Sequence, residues 1–501
     1  DSKDRIKDIL EKYMNGTADA AEEREALDWL LLHGAESEYD NIFEVLLENE
    51  EAEIRAEDTR IRIPAKGRRG IWGWACSCIL AAALAAGAFL WPAKESPVEW
   101  YEAYAGRGCT ERITLADGTE NYVNDMHSGF VDGGTPPDGR NAGAIHAKMG
   151  LTINGNGSLT VNSTYRHGIV SNSNLRIVSG DITVNAVEEG LKGKESVSIR
   201  GGNILIASCD DGIKVNQADE EDQGFFAMEG GTVKINTEAD GIDVIKYVRI
   251  VGGSLQVQSF DHAIVTEGSV SIAGTPTIRL HADSGKEDSD AKGIKADGDV
   301  TVESGTLLIT KAFEGIESKN ASVRITGGRV VVHATNDGVN GGSLISVEGG
   351  SLHVVSGGDG LDSGGNIRFA GGSTVICGSP SNAFAPMDVP DGYEILVDGG
   401  ILLAYGSLNA VQYPSAKSSS HVLATSVSLK KEVVYALRDA TGNNVVTFVP
   451  GENALTLCFS SETLETGEYT LFSDVTPQGE PADSIYSDST GGEEVSRFNV
   501  S

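Results

Sequence analysis

Acidic residues recur immediately before glycine along the middle of the chain. Each is followed by Gly and then by Ile, Leu or Val, as in Asp211-Gly212-Ile213 and Asp359-Gly360-Leu361. The equivalent positions in successive units are Glu189, Asp211, Asp240, His262, Lys292, Glu314, Asp337 and Asp359. Carboxylate oxygens are the ligands that Ca²⁺ prefers, and the ion takes about six to eight of them. The pattern therefore indicates a surface that could bind cations.

A second set of positions lies three residues beyond the first. Its members are Lys192, Lys214, Asp243, Val265, Lys295, Glu317, Asn340 and Asp362. In three units both positions are acidic, which places two carboxylates on one corner: Asp240 with Asp243, Glu314 with Glu317, and Asp359 with Asp362. Asp-Gly is also ordinary turn chemistry, because Gly supplies positive φ and Asp bonds its own backbone. Turn formation is thus the alternative to cation binding at each corner.

These acids belong to a repeat that determines the architecture. From about residue 155 to 400, a Gly-Gly or Ser-Gly pair recurs roughly every 22 residues, as at Gly201-Gly202 and Gly327-Gly328. A short strand with alternating apolar residues follows each pair. This period is too short for ankyrin or tetratricopeptide helices, and the strands alternate with period two. We predict an all-β protein whose residues 126–422 form a parallel β-helix of about ten rungs.

Stacking of the rungs would bring the acids together. Successive rungs lie about 4.8 Å apart, so equivalent positions form a column. Two carboxylates at that spacing repel by roughly 3 kcal/mol at an effective dielectric constant near 20, and bound cations would relieve this repulsion. Acid-rich insertions at 217–223 and 283–290 are predicted to loop out of the solenoid. They belong either to a binding face or to plain solvated loops.

Composition limits the possible partners. The 501-residue chain has a formal charge of −34, which argues against direct binding to nucleic acid or an anionic membrane surface. An acidic ligand would need a divalent cation to bridge the two anions. The six cysteines show neither a disulfide framework nor zinc-site spacing.

An apolar segment precedes the repeat. Residues 71–91 carry no charge and are long enough to span a bilayer. Basic residues precede the segment and acidic residues follow it, so the positive-inside rule places the N-terminus in the cytoplasm. We predict a transmembrane helix in the bacterial inner (cytoplasmic) membrane, with the β-helix in the periplasm or otherwise outside the cytoplasm. A buried core helix is the alternative.

Residues 1–64 have the apolar periodicity of amphipathic helices and are predicted to form a small α-helical cytoplasmic domain. Asn15-Gly16-Thr17 and Ala26-Leu27-Asp28-Trp29-Leu30, together with Thr114-Leu115-Ala116-Asp117-Gly118-Thr119-Glu120, resemble FecR-type anti-sigma regulators. The resemblance implies a sigma factor as partner of residues 1–64 and a FecR-like lead-in strand within residues 92–125. A structural domain without a partner is the alternative.

Several stretches between about residues 113 and 478 recur in this order in a known family: Ala144-Ile145-His146-Ala147-Lys148, Gly168-Ile169-Val170-Ser171, Asp210-Asp211-Gly212-Ile213-Lys214 and Asn444-Val445-Val446-Thr447-Phe448. On these stretches the segment resembles the bacterial calcium-binding, pectin-binding β-helix proteins. The resemblance implies a right-handed β-helix, bound Ca²⁺ and non-catalytic binding of an acidic, pectic polysaccharide. It assigns the calcium ligands to the Asp-Gly corners: Asp211, Asp240, Asp243, Asp337, Asp359 and Asp362.

Two other functions remain open. A pectate-lyase-like enzyme would need Ca²⁺ and a basic residue, for which Lys192, Lys214 and Lys295 are the candidates. A membrane sensor would combine polysaccharide binding outside the cell with sigma-factor binding inside. Residues 423–478 are predicted to form a β-rich C-terminal cap over the open solenoid end, and 479–501 a disordered tail.

Overall fold

The computed structural model describes residues 63–64, 100–101, 110–114, 120–124, 143–147, 149–155, 158–163, 166–286, 289–381 and 383–500. Every regular element within these ranges is a strand. Apart from residues 63–64, the predicted helical domain lies outside them, as does the apolar segment 71–91. Among the described residues no helix is long and apolar enough to cross a membrane.

Short antiparallel pairings precede the solenoid. Strand β1 (Ile63–Pro64) pairs with β2 (Trp100–Tyr101). Strands β3 (Thr110–Thr114) and β4 (Glu120–Asn124) form a hairpin, and β4 also pairs with β5 (Gly143–Ala147). The hairpin lies where the sequence predicts a lead-in strand.

The chain divides into two compact units, one of residues 59–306 and one that includes residues 307–501. In the first unit each turn contributes three strands that stack in parallel on equivalent strands of the next turn. The short-strand face consists of β5, β8 (His167–Ser171), β11 (Leu191–Gly193), β14 (Ile213–Val215), β17 (Ile242–Val244), β20 (Ile264–Thr266) and β23 (Ile294–Ala296). The second face consists of β6 (Leu151–Ile153), β9 (Asn174–Ile177), β12 (Ser196–Ile199), β15 (Phe225–Met228), β18 (Tyr247–Ile250), β21 (Ser269–Ile272) and β24 (Val300–Val302). The third consists of β7 (Ser158–Asn162), β10 (Asp181–Asn185), β13 (Asn203–Cys209), β16 (Thr232–Thr237), β19 (Ser254–Ser259) and β22 (Thr277–Ala282).

The unit of residues 307–501 repeats the same three-strand turn. Its short strands are β26 (Ile316–Ser318), β29 (Val339–Gly341), β32 (Leu361–Ser363) and β34 (Met387–Asp388). The other faces contain β25 (Thr306–Lys311), β27 (Ser322–Ile325), β28 (Arg329–Ala334), β30 (Leu344–Val347), β31 (Ser351–Ser356), β33 (Asn366–Cys377) and β35 (Ile395–Gly406). The turns of the two units number about ten, which confirms the predicted parallel β-solenoid.

The two kinds of glycine in the repeat serve different purposes. The second glycine of a Gly-Gly turn has positive φ, +93° at Gly202, as predicted from turn chemistry. The glycine after the acid, such as Gly212, does not have positive φ. A Cβ at Gly212 would lie 2.5 Å from the carbonyl oxygen of Gly241 on the next turn. The glycine of the Asp-Gly pair is therefore required by the close stacking of turns, and the expectation of a left-handed glycine at these corners is wrong.

The cap predicted for residues 423–478 consists of antiparallel strands. They are β36 (Leu423–Leu429), β37 (Tyr435–Asp439), β38 (Asn444–Phe448), β39 (Ala454–Ser460), β40 (Gly467–Ser473) and β41 (Thr476–Gln478). Strand β39 pairs with β35 of the last turn and with β36. This pairing covers a strand edge that an open solenoid would expose.

The expectation of a disordered tail over 479–501 is wrong. Strands β42 (Ile485–Tyr486), β43 (Asp488–Thr490) and β44 (Glu493–Val500) follow the cap. Strand β44 pairs along its length with β40, and Val500 is buried in the apolar cluster of the cap. Residues 479–501 are rich in Ser, Gly and acidic residues, and this composition does not predict strands. Only one face of β44 packs inward, so few apolar residues mark it in the sequence.

Candidate functional site

The positions three residues beyond the corner acids are register partners of one another on the short-strand face. We call this row of positions the second column. In the unit of residues 59–306, Lys214 pairs with Lys192 on one side and with Asp243 on the other, and Val265 pairs with Asp243 and Lys295. In each three-residue strand from β14 to β23 the central side chain is partly exposed while its neighbours are buried. The column therefore lies on the outer surface, as predicted.

Lys214 lies between two of the predicted calcium ligands. Its Nζ is 3.2 Å from Asp211 Oδ2 and contacts Asp243 Oδ2 on the next turn. Burial opposes the charged form of Lys214, but the hydrogen bond and charge of Asp243, with the charge of Asp211, raise its pKa. Burial raises the pKa of Asp211, with Lys214 opposing this effect. The ammonium group occupies the place that a cation shared by Asp211 and Asp243 would take.

The pKa of Asp240 is strongly raised. Burial, followed by the charges of Asp211, Asp261 and Asp243, raises its pKa to about 7. Its Oδ1 accepts a hydrogen bond from the backbone N–H of His262, 3.0 Å away. Ligand atoms of Asp240, Asp261 and His262 lie within 4.8 Å of one another.

The other candidate lysines contact neighbouring side chains. Lys192 Nζ lies 2.9 Å from Glu189 Oε1. Lys295 Nζ lies 2.9 Å from Nε2 of His262. The Nδ1 atom of His262 accepts the backbone N–H of Lys292 at 3.1 Å. Lys192 and Lys214 thus neutralise acids of the column.

The unit of residues 307–501 contains an acidic cluster formed by Asp337, Asp359, Asp362 and Asp388. The backbone N–H of Asp359 donates to Asp337 Oδ1 at 2.7 Å, and that of Ala385 donates to Asp359 Oδ1 at 2.5 Å. Asp362 and Asp388 are register partners on β32 and β34. Consecutive turns therefore bring three predicted ligands together with a fourth carboxylate.

The acidic cluster has raised pKa values. Burial, together with the charges of Asp337 and Asp388, raises the pKa of Asp362 to about 6. Burial and the same neighbours raise the pKa of Asp359 to about 6, although the N–H of Ala385 opposes this. The main causes of the two shifts include no cationic side chain of the described residues. Asp211 differs, because the Lys214 ammonium group opposes the rise of its pKa.

The acidic cluster offers carboxylate oxygens, the ligands that a hard cation prefers. Asn340 Nδ2 donates a hydrogen bond to Asp362 Oδ2 at 3.4 Å. Burial is the main cause of the two raised pKa values, and the repulsion between neighbouring carboxylates adds to it; a divalent cation would remove that repulsion. Asp337, Asp359, Asp362 and Asp388 are the candidate Ca²⁺ ligands of this unit. Among the described residues their ligand atoms do not form a group within 4.8 Å of one another, so Ca²⁺ would have to draw them closer together. Asp211 and Asp243 fit less well because Lys214 neutralises them.

A family described as carbohydrate-binding domain-containing protein matches residues 104–329 and 311–400. The chain belongs to this family. A carbohydrate-binding domain-containing protein of Acetivibrio thermocellus is 39% identical over 162 residues, which are 32% of this chain and 56% of the relative. The chain thus spans about half the length of the curated relative it matches. No solved structure matches the chain.

Asp388 was not found by sequence reasoning because it follows Met387 and lacks the Asp-Gly pattern. A signal was present, since Asp388 lies one turn beyond Asp362 in the same column. Gln412 Nε2 donates to Asp388 Oδ1, which joins a further segment of this unit to the acidic cluster. The adjacent Tyr413 is 39% exposed.

A second exposed aromatic residue accompanies the acids of the other unit. Phe260 is 49% exposed and immediately precedes Asp261. Exposed aromatic rings offer an apolar face, on which the C–H face of a sugar ring can pack. Phe260 and Tyr413 were not predicted as site residues because single aromatics carry no periodic signal.

Proposed function

We propose that this protein binds an acidic polysaccharide of the pectic, polygalacturonate type in a calcium-dependent and non-catalytic manner. The observation that carries the proposal is the acidic cluster of Asp337, Asp359, Asp362 and Asp388 on a chain of the carbohydrate-binding domain-containing family. A bound Ca²⁺ would supply the positive charge that an acidic ligand requires on a protein of charge −34.

Charge complementarity favours an acidic sugar over a neutral one. Ca²⁺ takes about six to eight oxygen ligands, so a corner that supplies a few leaves positions for a carboxylate of the sugar. The solenoid repeats its corners turn after turn, and a uronate chain repeats its carboxylates. Several weak contacts on one chain would then give avidity without a deep pocket.

The contacts of the lysines favour a binder over a lyase. A lyase base must reach a proton beside the uronate carboxylate. Lys214 is committed to Asp211 and Asp243, and Lys192 to Glu189. Lys295 contacts His262 and stays the candidate base of the alternative, lyase function.

The localisation and the signalling role stay proposals that rest on sequence. Residues 71–91 would anchor the protein in the inner membrane, and residues 1–64 would bind a sigma factor if the FecR resemblance extends to function. Affinity purification with residues 1–64 as bait tests the second proposal. Recovery of a sigma factor supports a sensor, whereas its absence favours a surface binder.

Incubation of the purified protein with polygalacturonate, in Ca²⁺ and then in EDTA, tests the function. Co-sedimentation and the ultraviolet absorbance of unsaturated products are followed in the same samples. We expect co-sedimentation in Ca²⁺ without new absorbance. Rising absorbance would establish a lyase, and Lys295→Met, matched by Lys417→Met on the exposed surface, would then identify the base. No binding in either condition would refute the proposal.

A further inference from the structure

A buried imidazole faces two glutamates at a corner of the first unit. His167 begins β8, and Glu188 and Glu189 precede β11 on the next turn. The His167 side chain is 1% exposed, and its Nε2 atom has no hydrogen-bond partner within the described part of the chain. Its Nδ1 lies 3.3 Å from Glu188 Oε2 and contacts Glu189 Oε2. The Glu189 Oε2 atom is buried at this contact.

The geometry points to a site for a divalent transition-metal ion, of which Zn²⁺ fits best, bound by His167, Glu188 and Glu189. Ligand atoms of the three residues lie within 4.8 Å of one another. One imidazole nitrogen with two carboxylate oxygens is a donor set that suits Zn²⁺, whereas Ca²⁺ takes oxygen ligands. The site is therefore chemically distinct from the acidic cluster proposed for Ca²⁺.

Two basic side chains, Arg166 and Lys192, form ion pairs with the two glutamates. Arg166 Nε lies 3.1 Å from Glu188 Oε1 and 3.0 Å from Oε2. Lys192 Nζ lies 2.9 Å from Glu189 Oε1, which leaves Oε2 directed at His167. Hydrogen bonds of this kind orient metal-binding carboxylates. They also reduce the repulsion between the two glutamates while no metal is bound.

The site has access to solvent and a structural consequence. The Glu188 side chain is 34% exposed, so an ion can enter and water can complete the coordination. Strands β8 and β11 pair in parallel, with Ile169 opposite Leu191. A metal bound by His167 and the two glutamates would link these successive turns. Its role is to stabilise this part of the solenoid, and it does not depend on polysaccharide binding.

Titration of the metal-free full chain with Co²⁺, followed by visible absorption, tests the site, and calorimetry with Zn²⁺ gives the affinity. We expect one site with the absorption bands of nitrogen coordination. His167→Gln and Glu189→Gln should weaken binding by at least about tenfold. Glu195→Gln removes the same charge from the same turn, where Glu195 binds Ser173 at 2.6 Å, and should leave binding unchanged.

The proposal is overturned if the wild-type protein binds Co²⁺ no more tightly than His167→Gln does. The contacts of His167 with the two glutamates would then account for the cluster, and no metal would be needed. If His167→Gln does not fold, Glu188→Gln at the partly exposed ligand provides the same readout. Calcium-dependent co-sedimentation with polygalacturonate should be retained in all these variants, so failure here is distinguishable from failure of the proposed function.

Discussion

The carboxylate of Asp337 accepts a hydrogen bond from the backbone N–H of Asp359, one turn further along the solenoid, at 2.7 Å. Asp211 binds the N–H of Asp240 in the same way at 3.1 Å, and Asp240 that of His262 at 3.0 Å. One oxygen of each of these three acids thus stabilises the stacking of turns. These acids therefore have a structural role. Cation binding depends on their remaining oxygens and on the carboxylates of the second column.

Asp337→Ala should therefore destabilise the fold whether or not Ca²⁺ is present. Asp337 is buried, and loss of a hydrogen bond to a charged group costs about 1.5–3 kcal/mol. The midpoint of urea unfolding in EDTA should fall accordingly, while Asp391→Ala on the exposed surface should have little effect. An unchanged midpoint for Asp337→Ala would show that this hydrogen bond does not support stacking.

Asp362→Asn should stabilise the calcium-free protein at about pH 7.5 and have little effect at about pH 4. The pKa of Asp362 in the folded protein is about 6, above the ordinary value of 3.8. Because its pKa is raised, Asp362 stays protonated in the folded state at pH values where it is already ionised in the unfolded chain. The free energy of unfolding therefore falls as the pH rises from about 4 through 6. Asn removes this loss.

Melting temperatures of Asp362→Asn and wild type at the two pH values, with and without Ca²⁺, provide the measurement. Saturating Ca²⁺ should stabilise the wild-type protein more than the variant. Equal stabilisation of both proteins by Ca²⁺ would show that Asp362 is not a ligand.

Lys214→Met should destabilise the calcium-free protein and make it more responsive to Ca²⁺. The substitution leaves Asp211 and Asp243 without their shared ammonium group, and loss of one partner from a partly buried ion pair is costly. The matched control is Lys417→Met, because Lys417 is 75% exposed in its pair with Glu394. Thermal midpoints that are equal for the two variants in EDTA would contradict this account of Lys214.

His333→Leu should reduce the acid sensitivity of the fold. Burial, with a smaller effect of the charge of His353, lowers the pKa of His333 from 6.5 to about 3. As the pH falls below about 6.5, His333 becomes protonated in the unfolded chain but stays neutral in the folded state. The free energy of unfolding of the wild-type protein therefore falls over that range. The stability difference between about pH 7 and pH 4.5 should shrink in His333→Leu. It should persist in His421→Leu, an exposed control, and persistence in both would refute the prediction.

The solenoid can be predicted from the sequence because the residues that determine each turn lie close together in the chain and recur at a fixed spacing. The positive φ at Gly202 and the stacking restriction at Gly212 are set by residue type, and each recurs at a fixed spacing. The two columns follow because the register of parallel turns is nearly constant.

Other features arise from contacts that carry no periodic signal. The Lys214 ammonium reaches Asp243 on the next turn, which requires knowledge of side-chain direction. Asp388 joins the acidic cluster without an Asp-Gly pair, and β44 closes the cap despite a composition typical of disordered tails. These contacts distinguish the acids that are already neutralised from those that could hold Ca²⁺.

Binding of polygalacturonate by wild-type protein and by the double variant Asp359→Asn/Asp362→Asn, over a Ca²⁺ titration, shows whether the acidic cluster mediates calcium-dependent binding. The fraction of protein that co-sediments with the polysaccharide is measured, with Asp211→Asn as the matched variant beside Lys214. We expect calcium-dependent binding that the double variant loses and Asp211→Asn retains. Equal binding by wild type and the double variant at every Ca²⁺ concentration would contradict it.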